Sequence, residues 1–221
     1  MRAVLTGYRQ LSPEVRHFDF EVPAVAALNF TPGQFVSFSG EIGGKEITRA
    51  YSICSEPRVN RFSLCLNLVR DGHLSPRLFA MDTGDSIAMA GPLGTFTIRN
   101  PARDMIWVAT GTGIAPFRAM WRHGGILGKV TLLFGTRYET GLLYRDEWGQ
   151  PGLEFLPSLS RPLAGWTGLA GHVQPHLIEL IGRKRDLDIY ICGLKAMVDD
   201  VRAKLKEMGF DRKQIIYEKY D

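Results

Sequence analysis

Residues 105–117 read MIWVATGTGIAPF and decide the fold predicted for the second half of the chain. An apolar run, typical of a buried parallel strand, ends in the glycine-containing turn 110–113, and Pro116 follows where a helix can begin. A helix N-terminus that opens from such a turn is a ready site for a phosphate. However, the spacing is not the G-x-G-x-x-G fingerprint, and a plain tight turn looks similar. Taken alone, the stretch leaves both interpretations open.

The second half of the chain continues in the same pattern, in which strands alternate with helices. Apolar runs predict strands at 105–109, 130–135, 153–159, 188–192 and 214–217. Helical spacing predicts helices at 115–123, 143–148, 173–181 and 195–208. This alternation predicts an α/β domain with a doubly wound, five-stranded parallel sheet. Ligands of such sheets bind outside the carboxyl ends of the strands, where residues 110–113 would lie.

The first half of the chain contains short segments in which apolar and polar residues alternate. They predict strands at 16–22, 34–39, 47–54 and 61–69, separated by turns rich in glycine and proline. Closely spaced strands of this kind indicate a small antiparallel barrel or sandwich. One helix interrupts them, with Ser75 predicted as its N-cap and Pro76 as its first residue. We therefore predict an antiparallel β-barrel domain at 1–100 and an α/β domain at 101–221.

Composition excludes several classes of protein. A hydrophobic content of 45% with 23% charged residues is ordinary for a folded protein, which excludes disordered and fibrous classes. The three cysteines are odd in number and widely spaced, which argues against a disulfide framework, a zinc site or a cysteine-ligated cluster. Redox chemistry would therefore need an organic cofactor, and no metal is expected.

The charge and the apolar pattern also bear on partners and location. The net charge of +4 can attract an acidic partner and does not require nucleic acid. No apolar run is long enough to span a membrane, and the first residues lack the apolar core of a signal peptide. We expect a cytoplasmic protein with no membrane partner, and the sequence does not indicate an oligomeric state.

Three segments carry residues suited to cofactor chemistry. Residues 49–52, Arg-Ala-Tyr-Ser, place a cation for a pyrophosphate and a ring for a flat heterocycle on one face of a strand, with Ser52 on the other face. Residues 71–76 form a glycine-containing turn that leads into a helix. Cys192-Gly193 ends another predicted strand. The alternatives are a surface arginine beside a half-buried tyrosine, a simple turn, and a buried structural thiol.

These segments occur in an order that resembles the ferredoxin-NADP reductase superfamily over essentially the whole chain. Residues 49–52 match its R-x-Y-S flavin motif, residues 72–75 its flavin-pyrophosphate turn, and residues 91–96, GPLGTF, its G-P-x-G-x-F segment. Residues 110–116 are similar to its nicotinamide-dinucleotide turn, and residues 190–193 to its C-G signature. The resemblance implies an FAD domain followed by an NAD(P) domain, with hydride passing between nicotinamide and flavin.

The resemblance also implies a role for each matching residue. Arg49 would hold FAD phosphate, Tyr51 would stack on the flavin, and Ser52 would hydrogen-bond near its N5 atom. Cys192 would lie beside the nicotinamide, and Thr112 and Gly113 would lie at the dinucleotide. The implied catalytic residues are Ser52, Cys192, Glu218 and Tyr220. The implied cofactor-binding residues are Arg49, Ala50, Tyr51, Ser52, Leu66, Asn67, Leu68, Val69, Gly72, Leu74, Ser75, Thr112, Gly113, Arg137, Arg161, Cys192, Gly193 and Tyr220.

The C-terminal residues and the choice of dinucleotide are less fully matched. Glu218-Lys219-Tyr220 resembles a Glu-x-Tyr ending whose tyrosine covers the flavin, but Asp221 follows it here; the alternative is a frayed tail. Arg137 and Arg161 match two basic positions of relatives that use NADP(H), which favours NADP(H) over NAD(H). A third basic position reads Leu169, which weakens that case, and Arg145 is expected on a helix surface.

The resemblance leaves the electron acceptor open. We expect a stand-alone reductase that exchanges electrons with a separate ferredoxin or flavodoxin. Alternatives with the same first step are a reductase component of an oxygenase and a reductase of free flavin. From other classes, a non-catalytic electron-transfer or regulatory subunit and a barrel that binds single-stranded nucleic acid also fit the pattern.

Overall fold

The computed structural model describes residues 1–220, and of Ile42 it describes the backbone only. The chain forms two compact units. The antiparallel unit comprises Met1–Ile98 together with Ala115–Gly124. The parallel unit comprises Arg99–Ile114 and the chain from Gly125 onward.

Six antiparallel strands build the antiparallel unit, in the order β4-β3-β6-β1-β2-β5. Their bounds are β1 Arg2–Ser12, β2 Val15–Glu21, β3 Phe35–Ile42, β4 Lys45–Ser52, β5 Arg61–Asn67 and β6 Ser86–Leu93. The two outer strands approach each other where an isolated bridge joins Ile53 to Leu64 and the Cys54 amide donates to the Ser63 carbonyl at 2.8 Å. This bridge links the ends of the strand order, so the predicted antiparallel barrel is confirmed.

Alternation along the strands produces the core of this barrel. Phe18 and Phe20 of β2 point inward together with Phe62 and Leu64 of β5, and all four are buried. The rings of Phe20 and Phe62 stack with centroids 5.5 Å apart. The residues that alternate with them, His17, Asp19, Ser63 and Cys65, therefore face away from the core.

Two helices belong to the antiparallel unit. Helix α1 spans Ser75–Phe79, and its N-cap is Leu74, which makes no side-chain cap bond. The prediction of Ser75 as N-cap is wrong, because its hydroxyl bonds the backbone of Val69 instead. Helix α2 spans Ala115–His123, as predicted, and packs Phe117 edge-on against Phe96 with ring centroids 5.7 Å apart.

Six parallel strands build the other unit, in the order β10-β9-β8-β7-β11-β12. Their bounds are β7 Met105–Thr110, β8 Val130–Thr136, β9 Leu153–Leu159, β10 Leu169–Ala170, β11 Asp188–Leu194 and β12 Ile215–Tyr220. The five predicted parallel strands are confirmed, and the short β10 extends one edge. Strand β7 lies between β8 and β11, so the order of the strands reverses beside it.

Helices α3, Val173–Ile181, and α4, Lys195–Glu207, cover one face of the parallel sheet. Their buried apolar residues pack against β7, β8 and β11. The helix predicted at 143–148 is wrong, since only a 3-10 turn, Arg145–Glu147, forms there. Tyr144, with φ of 55°, lies in the left-handed region and prevents a continuous helix. Within the described residues no helix is both long and apolar enough to cross a membrane.

Candidate cofactor sites

The predicted flavin motif lies at the end of β4. Arg49 and Tyr51 share the face that alternation predicts, and Tyr51 keeps part of its ring exposed while it packs against Phe38, 5.7 Å away. The Arg49 guanidinium is exposed and donates to the neighbouring Thr48 carbonyl at 2.8 Å. Burial raises the pKa of Tyr51 to about 12, although Arg49 opposes this shift. Ser52 ends the strand and is buried, on the opposite face.

The predicted pyrophosphate turn lies between β5 and α1. The Val69 amide donates to the Ser75 hydroxyl at 3.0 Å, and the Gly72 amide donates to the Val69 carbonyl at 2.9 Å. A Cβ on Gly72 would lie 2.9 Å from that same carbonyl oxygen, so the turn requires glycine. Two hydrogen bonds thus fix the turn from Val69 to Ser75. This turn is part of the segment that the resemblance assigns to the flavin, which comprises Leu66, Asn67, Leu68, Val69, Gly72, Leu74 and Ser75.

In the parallel unit, the ends of β7 and β11 meet beside the point where the strand order reverses. A Cβ on Gly113 would lie 2.3 Å from the Cys192 carbonyl oxygen. Gly193 has a φ of 140°, and a Cβ there would lie 2.3 Å from the Thr110 hydroxyl oxygen. The same hydroxyl accepts the Leu194 amide at 3.2 Å. Two glycines therefore let the two strand ends pack backbone against backbone at the carboxyl edge of the sheet.

Cys192, Glu218 and Tyr220 come together on neighbouring strands at this edge. Cys192 pairs with Glu218 and Leu194 pairs with Tyr220 in the β11–β12 register. Burial raises the pKa of the Cys192 thiol well above its usual range; the Glu218 charge raises it further, and a hydrogen bond with Tyr220 opposes both. The thiol is therefore neutral at physiological pH. Residues up to Tyr220 form β12, so the alternative of a frayed tail is wrong for them, while Asp221 lies outside the described residues.

Arg137 and Arg161 follow the adjacent strands β8 and β9. The Arg161 amide donates to the Arg137 carbonyl at 2.9 Å, and both residues are exposed. Leu169, at the third predicted position, begins β10. Arg145 forms an ion pair with Glu139, and its guanidinium carbon lies 6.0 Å from the centroid of the Trp166 ring. Arg145 is thus already engaged within its own surface segment, although on a 3-10 turn rather than the predicted helix.

Sequence reasoning missed two clusters next to the flavin motif. His17, Asp19 and Cys54 form a hydrogen-bonded chain at the barrel wall. Arg118 of α2 is buried and donates from Nη1 to the Cys54 carbonyl at 2.8 Å. The only signal available was that His17 and Asp19 alternate with core phenylalanines on β2. Strand pairing brings the first cluster together and the packing of α2 brings the second together, and the sequence specifies neither.

Comparisons with known proteins match both units. The family of oxidoreductase FAD-binding domains matches residues 2–98, and the family of oxidoreductase NAD-binding domains matches residues 107–203. Ferredoxin–NADP reductase B of Sorangium cellulosum is 37% identical over 99% of this chain and 97% of its own length. The chain therefore belongs to the ferredoxin-NADP reductase superfamily. It is a flavoprotein oxidoreductase with FAD-binding and NAD(P)-binding domains.

Two further comparisons extend this result. The electron transfer component of toluate 1,2-dioxygenase from Pseudomonas putida is 28% identical over 99% of this chain and 67% of its own length. A crystal structure of a ferredoxin NADP+ reductase from Neisseria gonorrhoeae superimposes with a TM-score of 0.86, covering 99% of this chain and 98% of that one at 23% identity. The structural match shows that the fold is shared.

The side chains of both sites fit the cofactors of the family. In the antiparallel unit, an exposed cation and a partly exposed ring share one face of β4, as the phosphate and the ring of FAD require. In the parallel unit, Gly111 has a φ of 54°, a Cβ added to it would meet nothing within 4 Å, and two exposed arginines follow the adjacent strands. This arrangement fits a dinucleotide that carries phosphates.

Proposed function

We propose that this protein moves electrons between NADP(H) and a separate ferredoxin or flavodoxin through bound FAD. The observation that carries the proposal is the near full-length relationship to a ferredoxin–NADP reductase, at 37% identity. Each unit of this chain contains a site of the matching chemistry. The domain boundary at residue 100 is part of this proposal, and the gap between the family matches, which end at 98 and resume at 107, supports it.

In this proposal the antiparallel unit binds and orients FAD. Arg49 holds a phosphate, Tyr51 packs its ring against the flavin, and Ser52 lies near the flavin N5 atom. The backbone from Leu66 to Val69 and the turn that contains Gly72, Leu74 and Ser75 hold the rest of the cofactor. When bound, FAD supplies the exchange between two-electron hydride transfer and one-electron steps.

The parallel unit positions the nicotinamide in the same proposal. Cys192 offers a small, neutral side chain, because burial keeps its thiol protonated. Glu218 lies opposite Cys192 in the strand register, at the same edge of the sheet. Thr112 and Gly113 lie in the turn after β7, which admits the dinucleotide phosphates. Positioning of this kind lowers the entropic cost of bringing donor and acceptor together.

Tyr220 is proposed to shield the flavin until nicotinamide binds. We expect Tyr220→Ser to tighten nicotinamide binding, because the dinucleotide would no longer compete with the phenol ring. Titration of the oxidised and reduced proteins with NADP+ measures this effect. An unchanged affinity in both redox states would contradict the role.

The preference for NADP(H) rests on Arg137 and Arg161. Each charge-assisted hydrogen bond to a 2′-phosphate contributes about 1.5–3 kcal/mol, so Arg137→Gln and Arg161→Gln should each lower kcat/KM for NADPH about tenfold or more. The same variants should leave kcat/KM for NADH nearly unchanged. A ratio of efficiencies, NADPH over NADH, at or below one in the unsubstituted protein would overturn the preference.

One experiment tests the proposal as a whole. The purified protein should show the absorption spectrum of bound flavin, lose it on anaerobic titration with NADPH, and then reduce added ferredoxin or flavodoxin. A protein that binds no flavin would contradict the proposal and would revive the non-catalytic and nucleic-acid-binding alternatives. A cytoplasmic location stays a prediction, which fractionation of cells can check.

A second candidate is a reductase component of an oxygenase. The relationship to the toluate dioxygenase component, at 28% identity over 99% of this chain, favours it. A free-flavin reductase is a third possibility with the same first step. Purified protein that is colourless yet reduces added flavin would favour the free-flavin reductase over both the ferredoxin or flavodoxin reductase and the oxygenase component.

A further inference from the structure

Next to the proposed flavin motif, the outer wall of the barrel carries a chain of three reactive side chains. Cys54 follows β4, and its Sγ atom lies 3.7 Å from Nδ1 of His17 on β2. Nε2 of the same ring lies 3.1 Å from Oδ1 of Asp19. The Ser63 hydroxyl donates to that carboxylate oxygen at 2.6 Å. A thiol, an imidazole and an orienting carboxylate are thus connected in series, which is the arrangement of an activated nucleophile.

Burial decreases steadily along this chain. Cys54 is fully buried, the His17 side chain is 7% exposed and the Asp19 side chain is 47% exposed. The thiol is therefore closed to bulky reagents, whereas the carboxylate end contacts solvent. Within the described residues no group of three or more His, Cys, Asp or Glu side chains could hold a metal ion, so the cluster does not fit a metal site.

The charges of the cluster favour a cationic imidazole. Burial alone would lower the pKa of His17, but hydrogen bonds with Asp19 and Cys54 raise it to about 9. Burial likewise opposes ionisation of Asp19, yet its bonds with His17 and Ser63 lower its pKa to about 2. At neutral pH both ring N–H groups therefore donate, one to the carboxylate and one to the sulfur.

Other polar and charged groups face the cluster from neighbouring elements. Arg58 adds positive charge near Asp19. Arg118 of α2 donates to the Cys54 carbonyl. Cys65 of β5 lies opposite His17 in the β2–β5 register. The groups near the sulfur thus include the cationic His17 ring, a donor at hydrogen-bond distance, and this ring stabilises negative charge on the sulfur as the thiol reacts.

We propose that Cys54, His17 and Asp19 form a thiol-modification site that reacts with hydrogen peroxide. The Cys54 sulfur attacks one peroxide oxygen, an S–O bond forms and the O–O bond breaks. The thiol is oxidised by two electrons to a sulfenic acid, and the peroxide is reduced. The cationic His17 ring gives its Nδ1 proton to the departing hydroxide, which leaves as water, and the ring then takes up the thiol proton and is restored. Asp19 acts as the positioning residue for the imidazole.

Peroxide fits this site because it is small and uncharged. Cys54 has no exposed surface, so a reagent reaches its sulfur only through local opening of the barrel wall, which favours a small molecule over larger alkylating or disulfide reagents. Cys54 lies two residues beyond Ser52, the residue at which β4 ends. Its oxidation would add a polar oxygen to a buried position beside the proposed flavin motif.

The test exposes the holoprotein to hydrogen peroxide for increasing times, removes the peroxide with catalase, and unfolds the protein in urea that contains dimedone, so that buried sulfenic acids become accessible. The adducts are then mapped by peptide mass spectrometry. Cys192 is the internal control, since it is also fully buried but its thiol has a strongly raised pKa. We expect Cys54 to be labelled about tenfold or more faster than Cys192. Equal labelling rates for Cys54 and Cys192, or no label on Cys54, would overturn the proposal, and this measurement needs only the unsubstituted protein.

Two variants separate activation from a merely structural role. His17→Gln should slow labelling of Cys54 about tenfold, and Asp19→Asn should slow it less, because the imidazole remains. If His17 only held the barrel wall together, its loss would loosen the packing and Cys54 would react faster. Unchanged or faster labelling in His17→Gln therefore overturns the proposal. Asp19→Asn changes a half-exposed side chain and provides a second measurement if His17→Gln does not fold.

Discussion

Gly113 is the residue at which the turn after β7 meets β11. A Cβ at this position would lie 2.3 Å from the Cys192 carbonyl oxygen and 2.6 Å from Gly193 Cα, and backbone cannot move aside as a flexible side chain can. We expect Gly113→Ala to lower the free energy of unfolding by about 1–3 kcal/mol, the usual cost of overpacking. Urea-induced unfolding of the two proteins measures this difference in the free energy of unfolding.

Gly149→Ala is the matched control for that substitution. Gly149 lies in the same unit, its φ is not positive, and a Cβ there would meet nothing within 4 Å. Its unfolding free energy should change by about 0.5 kcal/mol or less. Equal effects of the two substitutions would show that the close approach of the strand ends does not require glycine at residue 113.

His17 makes the stability of the antiparallel unit depend on pH. Its pKa rises from an ordinary 6.5 to about 9 in the folded protein, so its ionic contribution is fully present below pH 6.5. The contribution is lost as the pH rises through 9. The size of the shift corresponds to about 3 kcal/mol. The stability difference between the unsubstituted protein and His17→Gln should therefore shrink by about that amount between pH 6 and pH 10.

Unfolding by urea at several pH values measures this dependence. Asp19 works in the opposite direction, because its lowered pKa stabilises the fold above pH 3.8 and is lost as the pH falls through about 2. The two windows do not overlap, so the alkaline change reports on His17. A stability difference that stays constant with pH would contradict the charged state assigned to the imidazole.

At the scale of elements, the strands with regular patterns could be predicted and the irregular ones could not. Strand β9 was predicted with its observed bounds, because four of its seven residues are large and apolar and because Pro151-Gly152 before it and Ser160 after it are turn residues. Strands β1 and β6 were missed. The register of β1 shifts at Gly7 and interrupts the alternation, while β6 consists largely of small residues and ends in Gly91-Pro92-Leu93. Such strands form because their neighbours pair with them, which the local sequence does not reveal.

The segment around Trp148 was misread for a different physical reason. Tyr144 and Trp148 are four residues apart, as on one face of a helix, and both are buried together with Leu142 and Leu143. These side chains are buried although they belong to a loop, in which the Trp148 indole donates to the Leu143 carbonyl at 3.1 Å.

The candidate site could likewise be predicted only in part from the sequence. Its strand-end residues could be placed from the chain order, whereas the cluster of His17, Asp19 and Cys54 depends on pairing across three strands.

Helix α2 is connected to the segment that follows β4 through two arginines one turn apart. Arg118 is buried and bonds the Cys54 carbonyl, whereas Arg122 is partly exposed and pairs with Glu56 at 2.8 Å. We expect Arg118→Met to lower the unfolding free energy by about 1–3 kcal/mol, because a buried carbonyl loses its charged donor. Arg122→Met should cost about 1 kcal/mol or less, since its ion pair is partly solvated and Glu56 keeps Arg58.

The same pair of variants should differ in flavin affinity. The Cys54 carbonyl lies two residues beyond Ser52, so its displacement would move the end of the proposed flavin motif, while Glu56 lies further along the loop. Fluorescence titration with FAD measures both variants. Similar FAD affinities in Arg118→Met and in the unsubstituted protein would show that the strand end does not depend on α2.

At the scale of the whole molecule, the charge of the chain bears on its electron acceptor. The net charge of +4 favours encounter with an acidic carrier such as the proposed ferredoxin or flavodoxin. Screening by salt weakens such steering, because the Debye length falls from about 30 Å at 0.01 M to about 8 Å at 0.15 M ionic strength. We expect kcat/KM for an acidic carrier to fall several-fold across this range at saturating NADPH.

An uncharged quinone is the control acceptor in that measurement. It receives electrons from the same flavin but gains nothing from charge steering, so its kcat/KM should change little with salt. Saturating NADPH keeps the dinucleotide step from contributing its own salt dependence. If the carrier and the quinone respond to salt alike, the excess of basic residues does not guide the acceptor, and recognition must rest on uncharged surface.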